Sequence, residues 1–321
     1  MTKAFMLFNP TSGRIQWRYL VERAATRLEK SGWEIELHQP QDGFGVTTFA
    51  QRAVDAGHKA LFVVGGDGTI RRAVAGLMGS DTALGVLPGG TANVFAHEIG
   101  LPRQTWIDPL ALEKSAALLS RAHVQRMDVG VCNGEPFLLW VGAGLDAMVV
   151  NEIELHRPER RYFPEARYAA ETLLQVSSWE GVNLSVEADD TRIEGHFLIV
   201  LASNIRNYGG GFTKISPLAC LDDGIMDIWL FPGDTMWQSI QHLWNVIVGH
   251  HVKAEGVQKL SFRKLRMHAD GPIYLQLDGE PLESGGRVDI ALHHRILPVL
   301  VPPSAPDALF THPPEAHQVV P

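Results

Sequence analysis

Residues 61–74 read LFVVGGDGTIRRAV. Four apolar residues, Leu61 to Val64, run straight into Gly65-Gly66-Asp67-Gly68-Thr69, and a helical spacing follows. A short unbroken apolar run reads as a strand buried on both faces, as in a parallel sheet. At the carboxyl end of such a strand a helix N-terminus offers free N–H groups to phosphate. Gly65, Gly66 and Gly68 suit that use, because glycine lets the backbone approach a phosphate closely and tolerates positive φ. A plain tight turn is the competing reading. Two familiar phosphate loops are excluded: no Lys follows as in GxxxxGK[ST], and Arg71 stands where GxGxxG needs its third glycine. Asp67 would repel a bare phosphate, so it is expected to meet a nucleotide through Mg²⁺ or to point at the hydroxyl group that receives a phosphoryl.

Outward from this stretch the chain has two rhythms. Up to about residue 123, strand-like segments such as KAFMLFN, WEIELHQ, ALFVVG and ALGVLP alternate with helical ones, which predicts βαβ units and a parallel sheet. The helices are expected over 16–30, 47–56, from Thr69, and over about 91–98 and 109–121. Beyond residue 123 short strands separated by turn signals such as Asn133-Gly134 and Asp223-Gly224 predict an antiparallel β-sandwich, interrupted by helices near 165–179 and 235–249. The expected division is 1–123 as an α/β domain, 124–301 as the sandwich, and 302–321 as a Pro-rich, disordered tail.

Composition narrows the function. The 321 residues carry a formal charge of −8 with only 28 Lys+Arg, which argues against nucleic acid as a partner, since phosphate-backbone affinity needs a concentrated basic footprint. Cys132 and Cys220 are far apart with no metal-type spacing, which suits a reducing compartment. No apolar stretch nears the roughly 20 residues that span a bilayer. A cytoplasmic protein is expected, at most peripheral at a membrane surface.

Five blocks then carry a resemblance. GGDGT at 65–69, FNPTSG at 8–13, LPGGTANVFAHEIGLP at 87–102, NYGGGFTKISPLACLDDGIMDIWLF at 207–231 and QLDGEPL at 276–282 resemble, in the same order, the signatures of the diacylglycerol kinase catalytic-domain family. The likeness is to the YegS- and DgkB-type bacterial lipid kinases, related to sphingosine kinases and more distantly to NAD kinases. It implies an NAD kinase-like α/β domain plus a β-sandwich, with the site in the cleft between them, and transfer of the ATP γ-phosphoryl group to a lipid hydroxyl.

The resemblance also implies roles. Asn9, Pro10, Ser12 and Gly13, with Gly65, Gly66, Asp67, Gly68 and Thr69 and with Thr91 nearby, would hold the nucleotide phosphates. Asp223 with the carbonyls of Cys220 and Ile225 would bind a structural Mg²⁺, hard oxygen ligands being suited to that ion; a simple Asp-Gly turn competes. Glu280 matches the proton acceptor for the attacking alcohol, with Asp278 and Asp67 as rivals.

The departures matter as much. Arg71-Arg72 stand where the family has Asn-Glu, which reverses the charge beside the phosphate loop, and Val94 and His97 replace an acid and a base. Two rival functions therefore stay open: an NAD kinase, opposed by GVLPGGTAN at 85–93, and a catalytically silent module that binds nucleotide or lipid. For the acceptor, the helix 236–249 places Met236/Trp237, Ile240, Leu243/Trp244 and Ile247/Val248 on one stripe, expected to pack into the sandwich. Arg157, Arg160, Arg161 and Arg167 are the better headgroup candidates, against a reading as a solvated face. The sequence selects neither the lipid nor the oligomeric state, a homodimer included.

Overall fold

The computed structural model describes residues 2–9, 18–40, 43–103, 110–155 and 179–315. The chain divides into two units: Met1–Val129 with Cys220–Gly224 and His293–Pro321, and Gly130–Ala219 with Ile225–Leu292. Pro10, Ser12, Gly13, the arginines 157, 160, 161 and 167 and nearly all of the helix expected at 165–179 lie outside the described residues.

In the first unit the strands β1 (Thr2–Phe8), β2 (Trp33–His38), β3 (Ala60–Gly65) and β4 (Ala83–Pro88) lie in the order β2-β1-β3-β4, all parallel. β3 and β4 are buried along their whole length, whereas edge strand β2 is only partly covered. That is why the inner strands read as unbroken apolar runs. The helices are α1 (Arg18–Glu29), α2 (Gly43–Asp55), α3 (Asp67–Leu77), α4 (Val94–Glu98) and α5 (Ala111–Leu119). Helices α2 and α3 cross closely at Gly76, where a Cβ would stand 2.6 Å from the Thr47 carbonyl, and Thr47 Oγ1 donates to the Arg72 carbonyl at 2.8 Å.

The strands that follow are β5 (His123–Cys132), β6 (Glu135–Phe137) and β7 (Trp140–Gly144), then helix α6 (Leu145–Leu155), which the sequence reading missed. Next come β8 (Val182–Ala188), β9 (Thr191–Ser203), the short hairpin β10 (Asn207–Tyr208) and β11 (Thr213–Lys214), and β12 (Met226–Pro232). Helix α7 (Met236–Ile247) leads through a 3-10 turn, His251–Lys253, to β13 (Gln258–Phe262), β14 (Lys264–His268), β15 (Leu275–Leu277), β16 (Glu280–Leu282) and β17 (Arg287–Val301). Within the second unit the pairing is antiparallel. The first half of β9 pairs with β8, while its second half lies between β7 and β12, so one long strand serves both layers of a β-sandwich. The layers close over a core that includes Phe137, Val186, Phe197, Ile228, Phe262 and Leu275.

The first unit extends through Val129 and regains residues 220–224 and the chain after residue 292, so it is discontinuous in sequence. Two expectations need correction. The tail expected to be disordered is bonded through residue 315: Leu221 N–H donates to the Leu309 carbonyl at 2.9 Å, and Glu315 N–H to the Val124 carbonyl at 2.9 Å. Buried Leu309 anchors it. The apolar stripe of α7 does not pack inward. Ser239, His242 and Val246 form the buried face, while Trp237, Ile240, Trp244 and Ile247 are exposed. The seat beneath the helix is polar: β12 shifts register at Phe231/Pro232, and His242 Nε2 bonds the Pro232 carbonyl at 2.8 Å.

Candidate active site

The loop expected to hold phosphates grows from the carboxyl ends of β1, β3 and β4. Helix α3 starts at Asp67 with Gly66 as its N-cap in extended conformation. Asn9, buried at the end of β1, donates its backbone N–H to the Val64 carbonyl at 3.3 Å and its Nδ2 to Thr69 Oγ1 at 3.4 Å. None of Gly65, Gly66 and Gly68 has positive φ. For the first two the reason for glycine is space: a Cβ on Gly65 would meet the Thr69 side chain at 2.7 Å, and one on Gly66 would stand 3.2 Å from Gly90 Cα. Two glycine pairs, 65–66 and 89–90, thus pack backbone against backbone, and Gly89 N–H donates to the Gly65 carbonyl at 2.9 Å.

Asp67 has a partner the sequence did not announce. Its two oxygens accept the N–H groups of Val94 at 3.0 Å and Phe95 at 3.1 Å, so the carboxylate caps the first turn of α4. An acid at a helix N-terminus satisfies amides that the helix itself leaves open. Burial pushes the Asp67 carboxyl above its ordinary range, and these amides only partly offset that. Asn93, at φ 50°, folds the preceding turn by bonding Gly90 with both ends of its carboxamide, at 2.7 and 2.8 Å. This leaves Thr91 exposed at the loop tip and delays the helix to Val94, three residues after the expected start. Arg72 folds back along α3, with Nη1 donating to the Gly68 carbonyl at 3.2 Å.

In the second unit β15 and β16 form a hairpin whose turn is Asp278-Gly279, with φ of 50° and 85°. Two left-handed residues make the primed turn that an Asp-Gly pair favours. The Asp278 carboxylate accepts three main-chain N–H groups, from Leu138 at 2.9 Å, Leu139 at 2.9 Å and Trp140 at 3.1 Å. It therefore organises the break between β6 and β7, a segment the sequence presents as one strand. Glu280 opens β16 directly after the turn, half-buried and paired in register with Leu277.

Behind the turn is a buried network. Asp146, in the first turn of α6, accepts Gln276 Nε2 at 2.6 Å and the Tyr208 hydroxyl, and Gln276 Oε1 accepts the Gly279 N–H at 2.8 Å. Burial pushes the Asp146 carboxyl up and the Tyr208 phenol well up. Gly142 makes room: a Cβ there would lie 2.6 Å from Gln276 Nε2 and still nearer the Asp146 carboxylate.

The loop expected to hold Mg²⁺ carries two acids, Asp222 and Asp223, and a third, Asp128 on β5, bonds to it. Asp222 is fully buried and accepts the backbone N–H of Thr311 at 2.6 Å and of His312 at 2.9 Å, with further bonds to both side chains. Burial raises its pKa, but these donors outweigh it and hold the carboxyl below its ordinary range. Asp128, buried on β5, accepts the N–H of Gly224 at 2.7 Å and of Arg295 at 2.7 Å, and His294 Nδ1 lies 2.9 Å from it. Burial is the larger effect there, and its carboxyl is pushed up. Asp222 and Asp128 are buried, whereas Asp223 is half-buried. A carboxylate flanked by main-chain carbonyls is a donor set that fits Mg²⁺. Among the described residues no group of three or more His, Cys, Asp or Glu side chains is gathered so as to hold a metal ion.

The fold thus brings Asn9, Gly65–Thr69 and Thr91 together in the first unit, with Cys220 and Asp223 on another loop of that unit; Asp278, Glu280 and Ile225 belong to the second. Sequence reading missed Asp128, Asp146, Tyr208 and Gln276. The signal was present for the acids: Asp128 lies between Met127 and Val129 in a strand otherwise built to be buried, and Asp146 follows an apolar strand ending in glycine.

Comparison with known proteins gives a consistent result. The family described as "Diacylglycerol kinase catalytic domain" matches residues 3–132, and "YegS C-terminal NAD kinase beta sandwich-like domain" matches residues 140–301. A "Diacylglycerol kinase" of Bacillus subtilis (strain 168) is 25% identical over 284 residues, covering 87% of this chain and 90% of that protein. A "Probable lipid kinase YegS-like" of Pseudomonas aeruginosa (strain PAO1) is 29% identical over 301 residues, covering 92% and 93%. Two crystal structures from Bacillus anthracis str. Sterne share the fold. One has a TM-score of 0.76 at 22% identity, covering 95% of this chain and 96% of that chain. The other, described as a diacylglycerol kinase, has a TM-score of 0.70 at 18% identity, covering 95% and 98%.

Proposed function

Because this chain belongs to the diacylglycerol kinase family, in its YegS- and DgkB-type lipid kinase branch, we propose that it transfers the γ-phosphoryl group of ATP to the hydroxyl of a diacylglycerol-like lipid. The observation that carries the reading is the first turn of α3. It opens at the end of β3 beside Asn9 and Thr69, in a loop so closely packed that its backbone is held in place before any ligand binds. Phosphoryl transfer asks for positioning and charge stabilisation, which such a rigid N-terminus supplies.

In the reaction the lipid oxygen bonds to the γ-phosphorus as the bond to the β,γ-bridging oxygen breaks, and ADP leaves. The hydroxyl proton passes to a carboxylate. Glu280 is assigned that role on the likeness of QLDGEPL to the family's closing block and its place directly after the turn, whereas Asp67 and Asp278 each hold main-chain amides. Asn9, Gly65–Thr69 and Thr91 would hold the phosphates, and residues 220–225 would hold Mg²⁺ through Asp223. Bound Mg²⁺ would neutralise negative charge and tie the loop together.

The test is an assay with labelled ATP against diacylglycerol, phosphatidylglycerol, sphingoid bases, a polyprenol and NAD, with Mg²⁺ supplied and then chelated. Labelled lipid that disappears on chelation is expected. Labelled NAD would make the chain a small-molecule kinase, and nucleotide binding without any product would make it a silent module.

A further inference from the structure

We infer that helix α7, with the β10–β11 hairpin and the 3-10 turn bonded to it, is a docking surface for an anionic lipid bilayer. The inference rests on the acceptor being a membrane lipid, and it names how the protein reaches it.

The helix is inside out for a soluble protein. Trp237, Ile240, Trp244 and Ile247 recur at three- and four-residue spacing, and they are 72%, 44%, 61% and 62% exposed. An amphipathic helix in water normally turns such a stripe inward. The orientation is fixed by specific bonds. Thr235 and Gln238 form a capping box at the N-terminus, His242 bonds the Pro232 carbonyl, and Thr213 Oγ1 donates to the Val246 carbonyl at 2.6 Å. Buried His251 bonds the Ile215 carbonyl at 2.8 Å, which ties the turn after the helix to the residue that follows the hairpin. Phe212, next in the chain to Thr213, is 85% exposed.

Charge selects the occupant. In a chain of net charge −8, neither residues 204–221 nor residues 235–253 contain an Asp or Glu. The helix carries no charged residue, and the exposed cations Lys214 and Lys253 flank it on the two segments bonded to it. An apolar stripe with tryptophans, with lysines on the two segments bonded to it and the acids Asp234 and Glu255 only beyond its ends, matches a bilayer interface with anionic headgroups. The helix is about 18 Å long, too short to cross a bilayer, and so would lie in its plane. Among the described residues no helix is long and apolar enough to span a membrane. A second copy of the chain is the weaker occupant, because a two-fold interface sets the same patch, with the same two cations, against itself.

The experiment is flotation of the protein with vesicles of phosphatidylcholine alone or with about 30% phosphatidylglycerol, without ATP, at low and high salt. Wild type is expected to float with the anionic vesicles at low salt, with a blue shift of tryptophan emission. Trp244→Ser combined with Ile247→Ser should weaken flotation by about tenfold or more, since it removes most of the inserted apolar area. Lys214→Glu combined with Lys253→Glu should remove the preference for anionic vesicles. Both variants should keep the wild-type thermal midpoint, and the wild-type rate on acceptor dispersed in detergent. Flotation needs no turnover, so a chain that proves not to be a kinase leaves this readout intact. Three results would overturn the inference: no flotation of the wild type, flotation unchanged in the variants, or a wild-type dimer that the Trp244/Ile247 variant converts to monomer.

Discussion

Gln276 donates to Asp146 at 2.6 Å while its carbonyl oxygen takes the Gly279 N–H at 2.8 Å, so one buried carboxamide joins the acid on α6 to the turn before Glu280. A carboxamide can do this because it carries a donor and an acceptor on one rigid plane. Glu280 is thereby attached to a turn whose backbone is held from behind. Gln276→Leu keeps the bulk but leaves Asp146 and the Gly279 amide each without this partner. The expected result is a kcat lower by about tenfold to 100-fold, the range for a misplaced reacting group, with KM for ATP nearly constant. Steady-state kinetics decide: a lowered thermal midpoint with unchanged kcat would make the bond one of stability alone.

Asp146 makes a pH-dependent prediction. Burial raises its folded-state pKa above the ordinary 3.8. The folded protein therefore holds a proton that the unfolded chain has released, and stability from the protonated acid is lost as pH rises through the folded pKa. Asp146→Asn cannot titrate. Its thermal midpoint relative to wild type should rise as pH increases from about 4 upward, whatever constant offset the new hydrogen-bond pattern adds. Melting curves across that range check it, and a difference flat with pH would refute it.

Asp67 is expected to act through α4. In Asp67→Asn one oxygen can still accept an amide, but the new NH₂ faces a second N–H. The loss should be about 1–2 kcal/mol, as for a helix cap or a charge-assisted bond. Activity should fall together with the midpoint, because the loop carrying Thr91 ends at the same turn. Turnover abolished with an unchanged melting curve would instead place the carboxylate at the reacting groups.

For Glu280, the change to Gln keeps size and hydrogen bonding but cannot accept the alcohol's proton. A fall in kcat of about 100-fold or more, with ATP affinity kept, is expected of a general base. Measuring kcat and ATP binding on one preparation separates the outcomes. Silence in both would reduce Glu280 to a turn residue, whereas lost ATP affinity with kcat retained would make it a nucleotide contact.

The sequence alone determined the architecture: βαβ rhythm, then antiparallel strands, with a glycine-rich loop after β3 and an Asp-Gly hairpin at residues 278–279. These are local patterns. An unbroken apolar run is confined to a strand covered on both faces, and Asp-Gly suits a primed turn, wherever the rest of the chain goes. Only the tertiary structure decided what the acids do. The partners of Asp67 are 27 and 28 residues away and those of Asp278 are 138 to 140 residues away, distances over which no periodicity carries information. It also decided why Gly65 and Gly66 are glycine, since close packing and positive φ favour the same residue. The facing of α7 was hidden for a related reason. Spacing shows that a stripe is apolar, but the bonds from His242 to the Pro232 carbonyl and from Thr213 to the Val246 carbonyl fix which side of the helix turns inward. The apolar side was left to the solvent, or to a membrane.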